Sequence, residues 1–263
     1  MHLTKMQGLG NDYLYIYGEV SDPAAISVKL SDRHFGIGSD GIILISPSAV
    51  ADFKMRIFNA DGSEAKMCGN GIRCVGKYVF DKGYTDKKHL TVETLSGIRT
   101  LDLQTICGEV AYATVNMGKT TVEEPVTLAV NGENVTCTPV SVGNPHAVVF
   151  VTDAQNAPLT TLGASLEKHE FFKDGVNVEF VQVIDARTLR MRVWERGSGI
   201  TMACGTGACA SAAAAVARGY CYKGEDITVK LDGGDLQIKV LDDNTVMMTG
   251  PAKTVCECEV DEK

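Results

Sequence analysis

Nine cysteines stand at positions 68, 74, 107, 137, 204, 209, 221, 256 and 258. Two of them, Cys68 and Cys204, share a setting that the others lack. Each opens a glycine-rich run that leads into a helical stretch: CGNGIRCVGKYVFDKGY from Cys68 and CGTGACASAAAAVARGY from Cys204. The spacing predicts helices from about Gly71 to Lys82 and from about Gly207 to Arg218. Asn70 and Thr206 serve as N-caps, Gly83 and Gly219 as stops, and a cation lies in each last turn. Each cysteine then sits two residues before its N-cap, close to unpaired amide N–H groups and the positive end of the helix dipole, where a thiolate is stabilised. The glycines allow a ligand to approach the backbone, and the same N–H groups suit a carboxylate. A thiol and a thiolate on opposite sides of a carbon acid can invert it. One removes the α-proton, the other delivers a proton to the far face, and fixed N–H donors stabilise the enolate-like charge. Most free cysteines are small buried hydrophobes, and Cys74, Cys107, Cys137, Cys209 and Cys221 are read that way. Zinc spacing fails, because neither Cys68/Cys74 nor Cys204/Cys209 is a C-x2-C pair and Cys256/Cys258 has no matching pair. The odd count also argues against a disulfide scaffold.

The elements that must position these thiols are themselves duplicated. At an offset of 136 residues, Lys54–Phe58 (KMRIF) matches Arg190–Trp194 (RMRVW), and the run from Cys68 lies over the run from Cys204. Thr91-Val92 with Ser96-Gly97 falls on Thr228-Val229 with Gly233-Gly234 one residue further out, and Gly10-Asn11 matches Gly143-Asn144 at a slightly smaller offset. Two copies half a chain apart indicate two similar domains and not a solenoid. The expected division is 1–118 and 119–263, with the joint in the KTTVEEP region and the last segment free to return to the first domain. β-rich runs around Tyr13–Tyr17, Ile42–Ile45, Phe53–Phe58, Val110–Val115, Ala147–Val151, Val178–Val183, Leu189–Trp194, Ile227–Leu231 and Val246–Thr249 supply the strands. The second helix has almost no polar side, which means burial. The fold class is therefore mixed α/β (α+β): two pseudo-symmetric domains, each a curved, mostly antiparallel sheet wrapped around a central helix.

Bulk properties narrow the partners. With 25 Lys and Arg against 33 Asp and Glu, the net charge is −8. No basic run or arm is present, so nucleic acid and anionic membrane are not expected partners. The N-terminal stretch lacks the apolar core of a signal peptide, and the apolar run Ala208 to Ala217 is too short to span a bilayer. A cytoplasmic protein with a small-molecule substrate is expected.

The strings GLGNDY (8–13), FNADGSEAKMCGNGIRC (58–74), GNPH (143–146), VNVEFV (176–181) and ERGSGITMACGTGA (195–208) together resemble the diaminopimelate epimerase family, in its order and over most of the chain. The resemblance implies interconversion of LL- and meso-2,6-diaminopimelate, which feeds lysine and peptidoglycan synthesis, in an active site between two pseudo-symmetric domains. It implies no pyridoxal phosphate, no metal and no other cofactor. By the same resemblance Cys68 and Cys204 are the two bases, and the Gly69-Asn70 and Gly205-Thr206 pairs hold the reacting carboxylate. Asn11, Asn59, Asn144, Asn177, Glu195 and Arg196 grip the distal amino-acid end, while His146 and Glu195 adjust the acidity of the thiols. Chemistry agrees: a distal zwitterion needs a cation for its carboxylate and acceptors for its ammonium, which Arg196, Glu195 and the asparagine oxygens offer. A homodimer is also implied, although no exposed apolar pattern in the sequence supports it.

Taken singly, these residues have plainer readings, Asn11, Asn144 and Asn177 as turn formers and Glu195-Arg196 as an exposed pair of little energetic weight. Two rivals remain: the proline and hydroxyproline racemase branch, which has His where this chain has Asn70, and a non-catalytic binder or thiol sensor. Two departures from the family stand out. Gly41 occupies a place where some members carry Gln, removing a contact, and Ile200 replaces an acidic residue expected outside the first layer of contacts.

Overall fold

The computed structural model describes residues 1–261 of the chain. Two compact units divide it: Met1–Val115 together with the terminal segment that begins at Gly250, and Asn116–Thr249.

In the first unit, strands His2–Gly8, Asn11–Tyr17, Gly41–Pro47, Phe53–Asn59, His89–Thr94, Gly97–Ile106 and Glu109–Lys119 lie side by side in that order. Their successive pairings are antiparallel, parallel, antiparallel, parallel, antiparallel and antiparallel. Lys253–Glu259 adds an antiparallel strand on the other side of His2–Gly8. In the second unit, strands Glu133–Ser141, Pro145–Phe150, Asn177–Asp185, Thr188–Glu195, Asp226–Leu231, Gly234–Val240 and Thr245–Pro251 repeat the same order and the same directions. The sheets are mixed and mainly antiparallel, and the repeat read from short strings extends to the whole strand plan.

Four α-helices accompany the strands among the described residues: α1 (Pro23–Ser31), α2 (Gly69–Asp81), α3 (Ala164–Glu167) and α4 (Gly205–Ala217). Helices α2 and α4 are the central ones. Every residue of α2 from Gly69 to Val79 is buried, and in α4 Gly205 and the run Gly207–Ala215 are buried. The alanines of α4 explain its fit, since a helix sheathed in methyl groups lets strands approach closely and loses no side-chain entropy. Tyr15, Ile43, Leu101 and Leu103 pack beside α2, while Leu3, Leu14 and Ile42 form a separate buried cluster with Leu30 of α1. Each such side chain contributes about 1.5–3 kcal/mol on leaving water.

Both central helices begin two residues earlier than the spacing predicts. Their N-caps are Cys68 and Cys204 themselves, and the thiol sulfurs, not the side chains of Asn70 and Thr206, accept the amide of the third helical residue. Asn70 and Thr206 lie inside the first turn. The stops are as expected, with Gly83 and Gly219 at φ +74°, while Lys82 and Arg218 are C-caps and not last-turn residues. Helix α1 is additional to the one helix expected per half. Asp22 caps it by accepting from Ala25 N at 3.1 Å, and Pro23 occupies its first turn.

Candidate active site

The cysteines are placed by the same device in each unit. A strand-like backbone at Cys68 (φ −136°, ψ 113°) and at Cys204 (φ −115°, ψ 108°) turns directly into the helix. Gly71 N donates to Cys68 Sγ at 3.2 Å, and Gly207 N donates to Cys204 Sγ at 3.3 Å. An N–H donor and the helix dipole both act on each sulfur, which favours the thiolate. Glycine gives needed room beside the sulfur at Cys204, where a β-carbon would be tight, and less so at Cys68. A β-carbon on Gly71 would lie 3.4 Å from Cys68 Sγ, and one on Gly207 would lie 3.2 Å from Cys204 Sγ.

In the first unit, Cys68 Sγ donates to Asn11 Oδ1 at 3.3 Å. Asn11 is held in turn, because its Nδ2 donates to Asp40 Oδ2 at 2.7 Å. Asp40 also accepts from Arg33, which ties it to Asp12, and Asp12 pairs with Lys5 at 3.0 Å. Gly69 and Asn70 are buried in the first turn of α2, where the wholly buried Arg73 donates to Gly69 O and to Asn70 Oδ1, both at 3.1 Å. The buried phenol of Tyr13 is pushed well above its ordinary range, by burial first and then by the charges of Cys68 and Asp40. Asn59 lies at the end of strand Phe53–Asn59, and its Nδ2 donates to Ser63 Oγ at 3.0 Å.

In the second unit, a connected chain of side chains leads to Cys204. Cys204 Sγ lies 3.6 Å from Thr206 Oγ1, and Asn144 Nδ2 donates to that hydroxyl at 3.3 Å. Asn144 Oδ1 faces His146 Nε2 at 3.1 Å, and His146 Nδ1 meets Glu179 Oε1 at 2.7 Å. His146 and Glu179 have no exposed side-chain surface. Glu195, which accepts from the Thr201 hydroxyl, is held above the usual carboxylate range by burial first, with the charge of Glu179 adding to it. Burial, followed by the charges of Glu195 and Glu179, pushes the Cys204 thiol well above the usual thiol range. Gly205 begins the first turn of α4 beside Thr206. Asn177 is buried, and its Oδ1 accepts from Arg196 N at 2.9 Å. The Arg196 guanidinium is exposed and steadied by Asp174 O at 2.8 Å.

Of the residues expected from the sequence, Asn11, Gly69 and Asn70 lie beside Cys68, and Asn144, His146, Gly205 and Thr206 are linked to Cys204, whereas the contacts described for Asn59, Asn177 and Arg196 lead to other residues. At Gly41 the backbone itself bars a side chain. A β-carbon there would lie 2.1 Å from Phe58 O, and φ is +154°, so this backbone accepts no side chain at that position. Ile200 is 46% exposed and paired across from Trp194, on the strand that carries Glu195. Sequence reasoning missed Tyr13, Asp40, Arg73 and Glu179. None had a readable signal: even Arg73 shares its helix face with Asn70 and Lys77 and reads as part of a solvated stripe.

The sequence profile of the diaminopimelate epimerase family matches residues 3–123 and 138–255. Diaminopimelate epimerase of Methanococcus maripaludis (strain C5) is 50% identical over 280 residues, spanning 99% of this chain and 100% of the relative. The enzyme of the same name from Acetivibrio thermocellus is 51% identical over 280 residues, with 99% of each chain covered. Among solved structures, a probable proline racemase from Agrobacterium radiobacter K84 superposes with a TM-score of 0.77 at 18% identity, over 100% of this chain and 93% of that one. A hydroxyproline epimerase from Agrobacterium vitis gives 0.76 at 18%, over 98% and 91%. At such identity these two structures speak for a shared fold alone.

Proposed function

Because this chain belongs to the diaminopimelate epimerase family, we propose that it interconverts LL- and meso-2,6-diaminopimelate with two cysteines and no cofactor. The observation that carries the reading is that Cys68 and Cys204 each cap the central helix of one copy of a duplicated fold and accept an amide N–H there. In this reading the α-proton passes to one sulfur as thiolate while the other, as thiol, protonates the opposite face of the same carbon. The reaction requires the two sulfurs on opposite faces of that carbon. The reverse direction exchanges their roles.

The substrate's reacting carboxylate is assigned to the first amides of the two helices, at Gly69-Asn70 and Gly205-Thr206. By helix geometry these N–H groups find no carbonyl within the helix, and they stabilise the charge that develops as the proton leaves. The distal carboxylate is assigned to Arg196, and the distal ammonium to Glu195 and the oxygens of Asn11, Asn59, Asn144 and Asn177. His146 and Glu195 adjust the acidity of Cys204. Support for this comes from the hydrogen-bond chain that joins His146 to the sulfur through Asn144 and Thr206. The product serves lysine and peptidoglycan synthesis, a cytoplasmic task, and a homodimer is the proposed assembly. No helix among the described residues is long and apolar enough to cross a membrane.

The test is conversion of LL-diaminopimelate by purified, reduced protein without added cofactor, followed by chiral chromatography. The expected result is a mixture of both isomers approached from either side. Folded, reduced protein that leaves diaminopimelate unchanged but racemises proline or hydroxyproline would move the chain to the racemase branch.

A further inference from the structure

Strand register pairs the positions of the two halves one by one. Leu14 lies opposite Ile42 in one unit and Ala147 opposite Val178 in the other, so Tyr13 and His146 hold equivalent places. The pairs Ile43/Glu179 and Asn59/Glu195 follow from the same 136-residue offset that relates Cys68 to Cys204. The groups around the first thiol are thus a phenol, an alkyl chain and an amide. Around the second they are an imidazole and two carboxylates.

The middle pair lies against the third glycine of each central helix, the residue whose amide meets the sulfur. A β-carbon on Gly71 would meet Ile43 Cδ1 at 2.6 Å, and one on Gly207 would meet Glu179 Oε1 at 2.7 Å. A methyl group and a carboxylate oxygen therefore fill the same space beside a helix-capping thiol. Packing alone does not require the carboxylate, because the first half closes that space with isoleucine. Glu179 is 0% exposed, and its Oε2 has no hydrogen-bond partner among the described residues. Burying a carboxylate with one oxygen unmatched is unfavourable.

We propose that Glu179 makes the two thiols unequal: its charge, set beside Cys204, keeps the proton on that sulfur in the resting protein, so that Cys204 begins a turnover as the acid. The second half of that statement rests on the two-thiol reading of function. Glu179 is a positioning residue, since it acts on Cys204 and on the ring of His146 and not on substrate. The other ionisable side chains facing Cys204 are His146, from strand Pro145–Phe150, and Glu195, from strand Thr188–Glu195. Any positive charge on His146 opposes the effect, but the ring reaches the sulfur only by way of Asn144 and Thr206. Glu195 also raises the Cys204 thiol and adds to the effect, and substitutions confined to position 179 separate the two because they leave Glu195 in place.

The experiment follows the Cβ resonances of 13C-labelled cysteine against pH in the reduced full-length protein. Cys204 and Cys68 are identified by the signals lost in C204S and C68S. Glu179→Gln removes the charge while keeping an oxygen for His146, Glu179→Ile copies the first half, and Glu179→Asp keeps the charge. The expected result is that Cys204 becomes a thiolate at least about one pH unit lower in the Gln and Ile variants than in the parent. The Asp variant follows the parent, and the Cys68 profile stays put in all of them. Folded Gln and Ile variants in which Cys204 ionises no lower than in the parent would overturn the proposal, as would an equal shift at both cysteines. The titration needs no turnover. A shifted Cys204 in a protein inert toward diaminopimelate would refute the function and leave the role of Glu179 standing, and an unshifted one in an active protein would do the reverse.

Discussion

Arg73 reaches back along its own helix to hold Asn70, donating to its Oδ1 at 3.1 Å while also donating to Gly69 O at 3.1 Å and to Pro251 O at 3.2 Å. A fully buried guanidinium thus fixes the two residues assigned to the substrate's carboxylate and joins them to the terminal segment. Replacing Arg73 with Met is expected to destabilise the first unit by about 1–3 kcal/mol, the range for leaving buried neutral acceptors unmatched. Activity should fall even at temperatures where the variant stays folded. Urea unfolding alongside steady-state kinetics checks both parts. A variant as stable and as active as the parent would show that the grip is incidental.

Glycine at the third position of each central helix has an unusual sign attached to it. Gly→Ala inside a helix ordinarily stabilises by about 0.5–1 kcal/mol. Here a β-carbon on Gly207 would press on Glu179 Oε1 at 2.7 Å and one on Gly71 on Ile43 Cδ1 at 2.6 Å. Gly207→Ala and Gly71→Ala are therefore expected to lower the melting temperature and to cut activity at least tenfold. A rise in melting temperature would show that the neighbours give way freely.

Cysteine has two jobs at 68 and 204, cap and acid or base, and two substitutions separate them. Serine keeps an acceptor for Gly71 N or Gly207 N, so Cys68→Ser and Cys204→Ser should stay close to parental stability, whereas alanine should cost about 1 kcal/mol more at each position. Both serine variants should lose roughly 10²–10⁴-fold in kcat, the usual worth of a placed acid or base. Near-parental turnover in either serine variant would remove that cysteine from the mechanism.

How much of this was legible in the sequence differs by residue, for physical reasons. Cys68 and Cys204 stand out because a duplication repeats their setting at a fixed offset, something a lone cysteine never offers. The caps were misassigned because Asn70 and Thr206 are better N-cap residues by type, while a thiol in that role leaves no compositional mark. Strands with strong alternation, such as Phe53–Asn59, were readable, but the order in which they pair depends on long-range contacts. Glu179 was hidden for the same reason. In VNVEFV it sits like any strand residue, and only the pairing with Pro145–Phe150 and the first turn of α4 shows that it is buried beside a thiol. Helix α1 was readable in principle from Asp22-Pro23 and was passed over because its apolar periodicity is weak.

Away from the cysteines, Asp52 ties strand starts together. Its carboxylate accepts from Lys87 Nζ at 2.6 Å and from the hydroxyl and amide of Thr91 at 2.7 and 2.8 Å. These contacts, Lys87 first, lower its pKa from 3.8 to about 2. A carboxylate whose folded pKa lies below its unfolded value stabilises at higher pH. The contribution is therefore complete above about pH 4 and vanishes as the pH falls through about 2, and it amounts to about 1 kcal/mol once solvent screening is allowed for. Asp52→Asn should show that deficit in chemical unfolding at pH 6 and almost none near pH 2. An equal deficit at both pH values would assign the effect to hydrogen bonding and not to charge.

The central claim, inversion by two separate thiols, is tested most directly by the early course of the reaction in D2O, starting from protiated LL-diaminopimelate and observed by proton NMR and mass spectrometry. Two monoprotic bases predict that the meso product carries solvent deuterium at the inverted carbon from the first turnovers, while the LL-diaminopimelate still present keeps its α-proton. A product that retains the substrate's own proton, or recovered substrate that takes up deuterium as fast as product forms, would point to a single base and contradict the account.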